Sequence, residues 1–187
     1  MRAKLPGVPV YALGCSMGGA VVLATLADGG PDLPDGAILA PPAVWARETQ
    51  PLLNRAALWA GVRLMPGESF TGKGLGVLAS DNIPMLRKLG HDPLYIHATR
   101  TDAIYGLVDT MDQGLAAAPK VAQPLLVLYG AKDQVIPAEP TEAVIVALGA
   151  RAQVHRDDNG YHMLLRDLDG ETQWKLVADW IAQRAPR

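Results

Sequence analysis

Residues 8–19 read Val8-Pro9-Val10-Tyr11-Ala12-Leu13-Gly14-Cys15-Ser16-Met17-Gly18-Gly19, and this stretch decides the fold. The apolar run Val8 to Leu13 reads as a buried strand of a parallel sheet and stops at Gly14. Residues 18–27 then read as a helix, closed by Gly29-Gly30-Pro31. Gly36-Ala37-Ile38-Leu39-Ala40 is a second apolar run, ended by Pro41-Pro42. A strand, a helix and a strand within about 35 residues make a βαβ unit. The turn inside it, Gly14-Cys15-Ser16-Met17-Gly18, has the pattern G-x-S-x-G. Such a turn raises a serine hydroxyl above the sheet at a helix N-terminus, and small neighbours let strand and helix pass closely. The Met17 backbone N–H faces the same space and can donate to an oxyanion. With three serines and 19 glycines in 187 residues, chance places two glycines around one serine with a probability of only about 0.03.

Outward from this unit the character changes. Residues 43–122 hold amphipathic stretches and no convincing strand. Leu52, Leu53, Ala56, Ala57, Trp59 and Ala60 recur at helical spacing. Ser80-Asp81-Asn82 reads as a helix cap with Pro84 in the first turn. Asp102 is expected to cap a helix from about Ala103 to Ala118, and Gly72-Lys73-Gly74-Leu75-Gly76 reads as a loop. The βα pattern resumes with the strand Pro124 to Gly130, a helix from Thr141 to Leu148, and a short strand from Ala152 to Arg156. Trp174, Val177, Ala178 and Ile181 space an amphipathic last helix over 171–184. Insertions as long as 43–122 are usually functional.

A serine hydroxyl is a poor nucleophile near neutral pH and needs a base, which needs an orienting group. Asp133, in Gly130-Ala131-Lys132-Asp133, directly follows a parallel strand and so falls on the same rim as Ser16. Turn aspartates after glycine are also commonly just solvated. Of the four histidines, His91 and His97 lie in the insertion and His155 in a strand. Only His162, in Asp158-Asn159-Gly160-Tyr161-His162, stands at a loop tip on that rim. Cys15 reads as a small buried packing residue in preference to a thiol-sensitive spot.

Composition narrows the classes. At 49% hydrophobic and 19% charged the chain is not disordered, and 187 residues suit one domain with a sizeable core. A net charge of −2 gives no footprint for nucleic acid or anionic lipid. One cysteine excludes an internal disulfide framework and a cysteine-rich metal site. No apolar run approaches the ~18 residues that span a bilayer. Met1-Arg2-Ala3-Lys4-Leu5-Pro6 lacks the apolar stretch of a signal peptide, so a cytoplasmic location is expected, with room for peripheral membrane contact.

The sequence resembles the α/β-hydrolase superfamily, and within it the lysophospholipase and monoacylglycerol-lipase-like branch, also described as serine aminopeptidase-like. Gly14-Cys15-Ser16-Met17-Gly18-Gly19, Gly130-Ala131-Lys132-Asp133-Gln134-Val135-Ile136-Pro137 and Gly160-Tyr161-His162 carry the likeness. It implies an α/β-hydrolase fold with a partial parallel sheet of about four strands. The core would be residues 1–42 and 123–187, and residues 43–122 a helical cap or lid. It implies a triad of Ser16, Asp133 and His162, an oxyanion donor at the Met17 N–H, and hydrolysis of a lipid-like carboxylic ester such as a monoacylglycerol or lysophospholipid. No cofactor or metal is implied. Apolar cap residues, Trp45, Trp59, Ile104 and Tyr105 among them, are expected to line an acyl pocket. The family has eight strands, several of them ahead of the nucleophile together with the loop that supplies a second oxyanion donor. The chain is therefore expected to be the C-terminal portion of a longer hydrolase, with an edge strand open to self-association. The alternative is a weakly active or inactive remnant that binds a lipid or a partner chain.

Overall fold

The computed structural model describes residues 6–72, 74 and 76–184. Met1 to Leu5, and Lys73 and Leu75 of the expected glycine-rich loop, lie outside the described residues. In chain order the main elements are β1 (Tyr11–Ser16), α1 (Met17–Asp28), β2 (Gly36–Pro42), α2 (Leu52–Leu64), β3 (Ser69–Phe70), α3 (Ile83–Gly90), β4 (Thr99–Arg100), α4 (Thr101–Ala117), β5 (Leu125–Gly130), α5 (Ala138–Leu148), β6 (Ala152–Asp157) and α6 (Gly170–Ala182).

Four strands pair in the order β1-β2-β5-β6, every pair parallel. This is the partial α/β-hydrolase sheet. All residues of β2 and β5 are buried, which is why both read as unbroken apolar runs. Alternation along the strands splits the core into two layers. Leu39, Leu125 and Val127 pack with Leu23 and Leu26 of α1 and Val144 and Leu148 of α5. Ile38, Leu126 and Leu128 face the other way, onto Leu164 and Trp180.

The first strand begins at Tyr11 rather than Val8. Pro9 has no N–H to give, and the Val10 N–H is taken by the Asp35 carboxylate at 2.7 Å, so the ladder opens at Tyr11 opposite Gly36. The other side of β1 carries no strand among the described residues, and Leu13 of this strand is 49% exposed.

The insertion departs from the strandless expectation. β3 and β4 form a two-residue antiparallel pair, Ser69 opposite Arg100 and Phe70 opposite Thr99. Asn82 caps α3 as expected, its side chain accepting from the Met85 N–H at 3.2 Å. Asp102 does not cap α4 from outside. It sits in the first turn, accepts from the adjacent Ala103 N–H and pairs with Arg100, because α4 already starts at Thr101. The end of α4 lies against the core. Ala117, Ala118 and Val121 pack with Leu23 and Leu26, and at Gly114 a Cβ would come within 2.8 Å of Ala20 Cα. Among the described residues no helix is long and apolar enough to cross a membrane.

Leu39 is fully buried in a central strand, whereas Leu13 is half exposed on the edge strand. Leu39→Ala is expected to cost about 2–5 kcal/mol, and Leu13→Ala a small fraction of that. Urea unfolding of the two variants checks this. Equal losses would mean that Leu13 is packed in solution.

Candidate active site

Ser16 is the sole non-glycine residue with a positive φ among the described residues, at φ 51° and ψ −119°. That conformation costs on the order of 1–3 kcal/mol and persists only where the surroundings enforce it. Here they do. A Cβ on Gly14 would stand 2.4 Å from Gly18 O, and one on Gly19 would stand 2.7 Å from Pro42 Cα. The Ser16 carbonyl is fixed from outside by the Ala43 N–H at 2.8 Å. Met17 is the first residue of α1, so its N–H is one of the free donors of a helix N-terminus.

Asp133 and His162 come from the loops after β5 and β6. The two loops touch at glycines: a Cβ on Gly130 would lie 2.4 Å from Gly160 O and 2.6 Å from Tyr161 O. Backbone bonds tie them, Ala131 N–H to Asp157 O and Lys132 N–H to Gly160 O, both at 2.9 Å. The Asp133 side chain is fully buried. Its Oδ1 accepts from the Val135 and Ile136 N–H groups at 2.8 and 3.0 Å. Its Oδ2 lies 2.8 Å from His162 Nδ1, and His162 Nε2 lies 3.0 Å from Ser16 Oγ. When Nδ1–H donates to the carboxylate, the Nε2 lone pair is left to accept the Ser16 hydroxyl. That is the arrangement that lets a serine oxygen lose its proton to a ring nitrogen.

The group opens into a cavity of about 370 Å³, walled by Leu89, Tyr95, Val135, Met163 and Leu165, with Arg166 also at its surface. None of the four cap residues expected to line an acyl pocket touches it. Trp59 and Tyr105 line a separate cavity with Arg47, whose guanidinium stacks 4.4 Å above the Tyr105 ring. Trp45 and Ile104 line neither cavity. Arg47 ties the start of the insertion to Asp109 and Asp112 of α4, and residues of α2 line that separate cavity beside it. The end of α3 and the loop holding Tyr95 are what face Ser16. Val135, Met163 and Leu165 are chain neighbours of Asp133 and His162, so adjacency to the expected acid and base was the available signal for them. Leu89 and Tyr95 had no such signal.

The remaining histidines stand apart. His91 bonds Arg87 O, His97 packs edge-on against Tyr95, and His155 sits within β6 opposite Leu128.

Cys15 is exposed and lines the cavity, contrary to the buried packing role expected from sequence, because β1 is an edge strand. Partial burial of its thiol nevertheless raises its pKa. The thiolate fraction near neutral pH is thereby reduced. Iodoacetamide is expected to alkylate Cys15 more slowly than free cysteine at about pH 7 and to gain on it by about pH 9. Mass-spectrometric time courses measure this. A Cys15 rate at neutral pH equal to that of free cysteine would contradict the desolvated thiol.

Comparison with known proteins fits this geometry. The sequence model of the family described as serine aminopeptidase, S33, matches residues 1–169. Among solved structures, a monoacylglycerol lipase of Paleococcus ferrophilus superposes with a TM-score of 0.78 at 22% identity, over 92% of this chain and 68% of that one. A soluble variant of monoglyceride lipase from Saccharomyces cerevisiae, bound to a substrate analog, gives 0.78 at 18% identity, over 100% of this chain and 66% of that one. An esterase from Exiguobacterium antarcticum gives 0.68 at 22%, over 97% and 69%. The chain thus spans about two thirds of the length of these proteins, and at such identities the likeness speaks for the fold. With a family match over nearly the whole sequence and the α/β-hydrolase sheet beneath it, the chain belongs to the S33 serine aminopeptidase-like family of α/β-hydrolases.

Proposed function

We propose that the chain is a serine hydrolase that cleaves carboxylic esters of lipid-like substrates. One observation carries this function: Ser16 Oγ, His162 and Asp133 are linked by contacts of 3.0 and 2.8 Å at the mouth of an apolar cavity. Ser16 Oγ attacks the ester carbonyl carbon as its proton passes to His162 Nε2. Asp133 holds the ring and stabilises the imidazolium. The Met17 N–H donates to the oxyanion. Collapse of the tetrahedral species breaks the ester C–O bond, and the departing alcohol takes the proton from Nε2. Water then repeats the attack on the acyl-serine, again losing its proton to His162, and the acid leaves with Ser16 restored.

The cavity is near the lower end of the ~300–1,000 Å³ typical of small-molecule sites, and its mostly apolar wall suits an acyl group. Monoacylglycerols and lysophospholipids are the substrate classes proposed, in keeping with the lipases that share this fold. We place the lid within residues 43–122, between a core of 1–42 and 123–187. Its working part is the end of α3 and the loop to Tyr95, since the end of α4 is packed on α1. Trp45, Ile104 and Tyr105 then serve the lid's own packing, whereas Trp59 stays more than half exposed under the Arg63 guanidinium. Such an enzyme would work in the cytoplasm or against a membrane surface.

A second reading, a remnant that associates through β1, is favoured by the open edge of that strand, on which Leu13 is half exposed.

A fluorophosphonate probe followed by peptide mapping tests the first reading. An adduct is expected at Ser16, abolished in Ser16→Ala and slowed at least about 10³-fold in His162→Ala. A folded chain that takes no adduct, and whose sedimentation shifts with concentration, would favour the remnant.

A further inference from the structure

We propose that Asp167 is the positioning residue for His162, and that Ser80 makes it the joint between the insertion and the base. The catalytic half of this inference rests on the hydrolase function above. The positional half does not.

The residues on either side of His162 each donate one backbone hydrogen bond to a group outside their own turn. The Tyr161 N–H donates to Asp167 Oδ2 at 2.8 Å, and the Met163 N–H donates to Ala79 O at 2.8 Å. The second oxygen of Asp167 accepts from the Ser80 hydroxyl at 2.5 Å. Ser80 is fully buried, and 87 positions separate the two residues in the chain. A hydroxyl bonded to a carboxylate at that distance is at the strong end of protein hydrogen bonds. Ser80 Oγ in turn accepts from the Asn82 N–H at 3.2 Å.

The bonds around this pair run the same way. Asn82 Nδ2 donates to Arg166 O at 3.0 Å, and the Leu168 N–H donates to Asp81 Oδ1 at 2.9 Å. The Leu78 N–H reaches Gln134 Oε1 at 3.0 Å, next to Asp133. Residues 78–82 of the insertion thus grip the loop of the base and touch the loop of the acid. Ala79 also lines the cavity beside Ser16, as does Leu89 further along the same segment. Any displacement of this part of the insertion moves the peptides that fix His162, so the wall that receives substrate and the base that serves it are one mechanical unit. Asp167 touches no reacting atom. It acts through the Tyr161 peptide. Misplacement of a reacting group by about 1 Å is enough to cost roughly 10²-fold in rate.

The full chain and its Asp167→Ala, Asp167→Asn and Ser80→Ala variants test this with three readouts. They are amide exchange of Tyr161 and Met163, the low-field NMR signal of the His162 Nδ1 proton, and the rate of fluorophosphonate labelling at Ser16. Asp167→Ala is expected to speed exchange, broaden or abolish the proton signal, and slow labelling about 10²-fold. KM for a short aryl ester should stay within about two-fold, because no cavity wall is removed. Asp167→Asn keeps an acceptor for the Tyr161 N–H and should restore most of the rate, with Ser80→Ala in between. Folded variants with unchanged exchange and proton signal would overturn the proposal. So would faster exchange with wild-type labelling, or a loss confined to KM. Should Asp167→Ala not fold, Ser80→Ala and Asp167→Asn decide by the same criteria. Should the unsubstituted chain take no probe, the hydrolase function fails, and exchange and the proton signal alone decide the positioning.

Discussion

Everything at the site depends on a backbone that is uncomfortable at one residue. Ser16 at φ 51° puts its side chain above the sheet and its carbonyl within reach of Ala43. The strain is small against a folded core but large against any single local contact, so it must be enforced collectively. The enforcement is steric. Gly14 lies under the first turn of α1, Gly19 lies on Pro42 at the end of β2, and Ala20 and Leu23 anchor the helix in the core. A side chain at Gly14 or Gly19 would push α1 away from the strand ends, and the turn could relax.

The other two groups reach Ser16 by topology. Ser16 ends β1, and Asp133 and His162 follow β5 and β6, so in an all-parallel sheet all three stand at the carboxyl rim. β2 lies between β1 and β5, and the β6 loop crosses back to meet Ser16. That crossing is possible because Gly130 and Gly160 let two backbones touch. Asp133 then has a buried carboxylate with each oxygen hydrogen-bonded, which offsets the desolvation that would otherwise make burial prohibitive.

The parts visible in the sequence are those where local chemistry and global fold make the same demand. Leu125 to Gly130 is apolar at every position because both faces of a central parallel strand are covered, and its boundaries could be read to within one residue. The placements of Ser16, Asp133 and His162 were legible for a similar reason, since each lies at or shortly after a strand end, with a glycine two or three residues away. The insertion was harder. Leu52, Leu53 and Trp59 have good helical spacing, yet α2 buries none of its residues, and Leu52 and Leu53 are 76% and 78% exposed. Periodicity gave the helix but could not say which neighbour its apolar face would meet. α2 meets α4, the helix to which Arg47 is tied through Asp109 and Asp112, more than 60 residues away in the chain. The Ser80–Asp167 bond is equally silent in sequence, since Ser80 reads as an ordinary cap residue until its partner is seen.

The site is therefore supported from two directions with different vulnerabilities. Ser16 hangs on β1, an edge strand whose only strand partner among the described residues is β2 and whose helix is α1. Its geometry is as stable as the βα unit it belongs to, and loosening β1 would be felt there first. His162 hangs on a loop clamped between Gly130 and the 78–82 segment, so its geometry follows the insertion instead. The 3.0 Å contact between Ser16 and His162 is the one place where these two supports meet. The length of that contact is therefore set both by the β1–α1 unit and by the segment that walls the cavity, although the two lie on different parts of the chain.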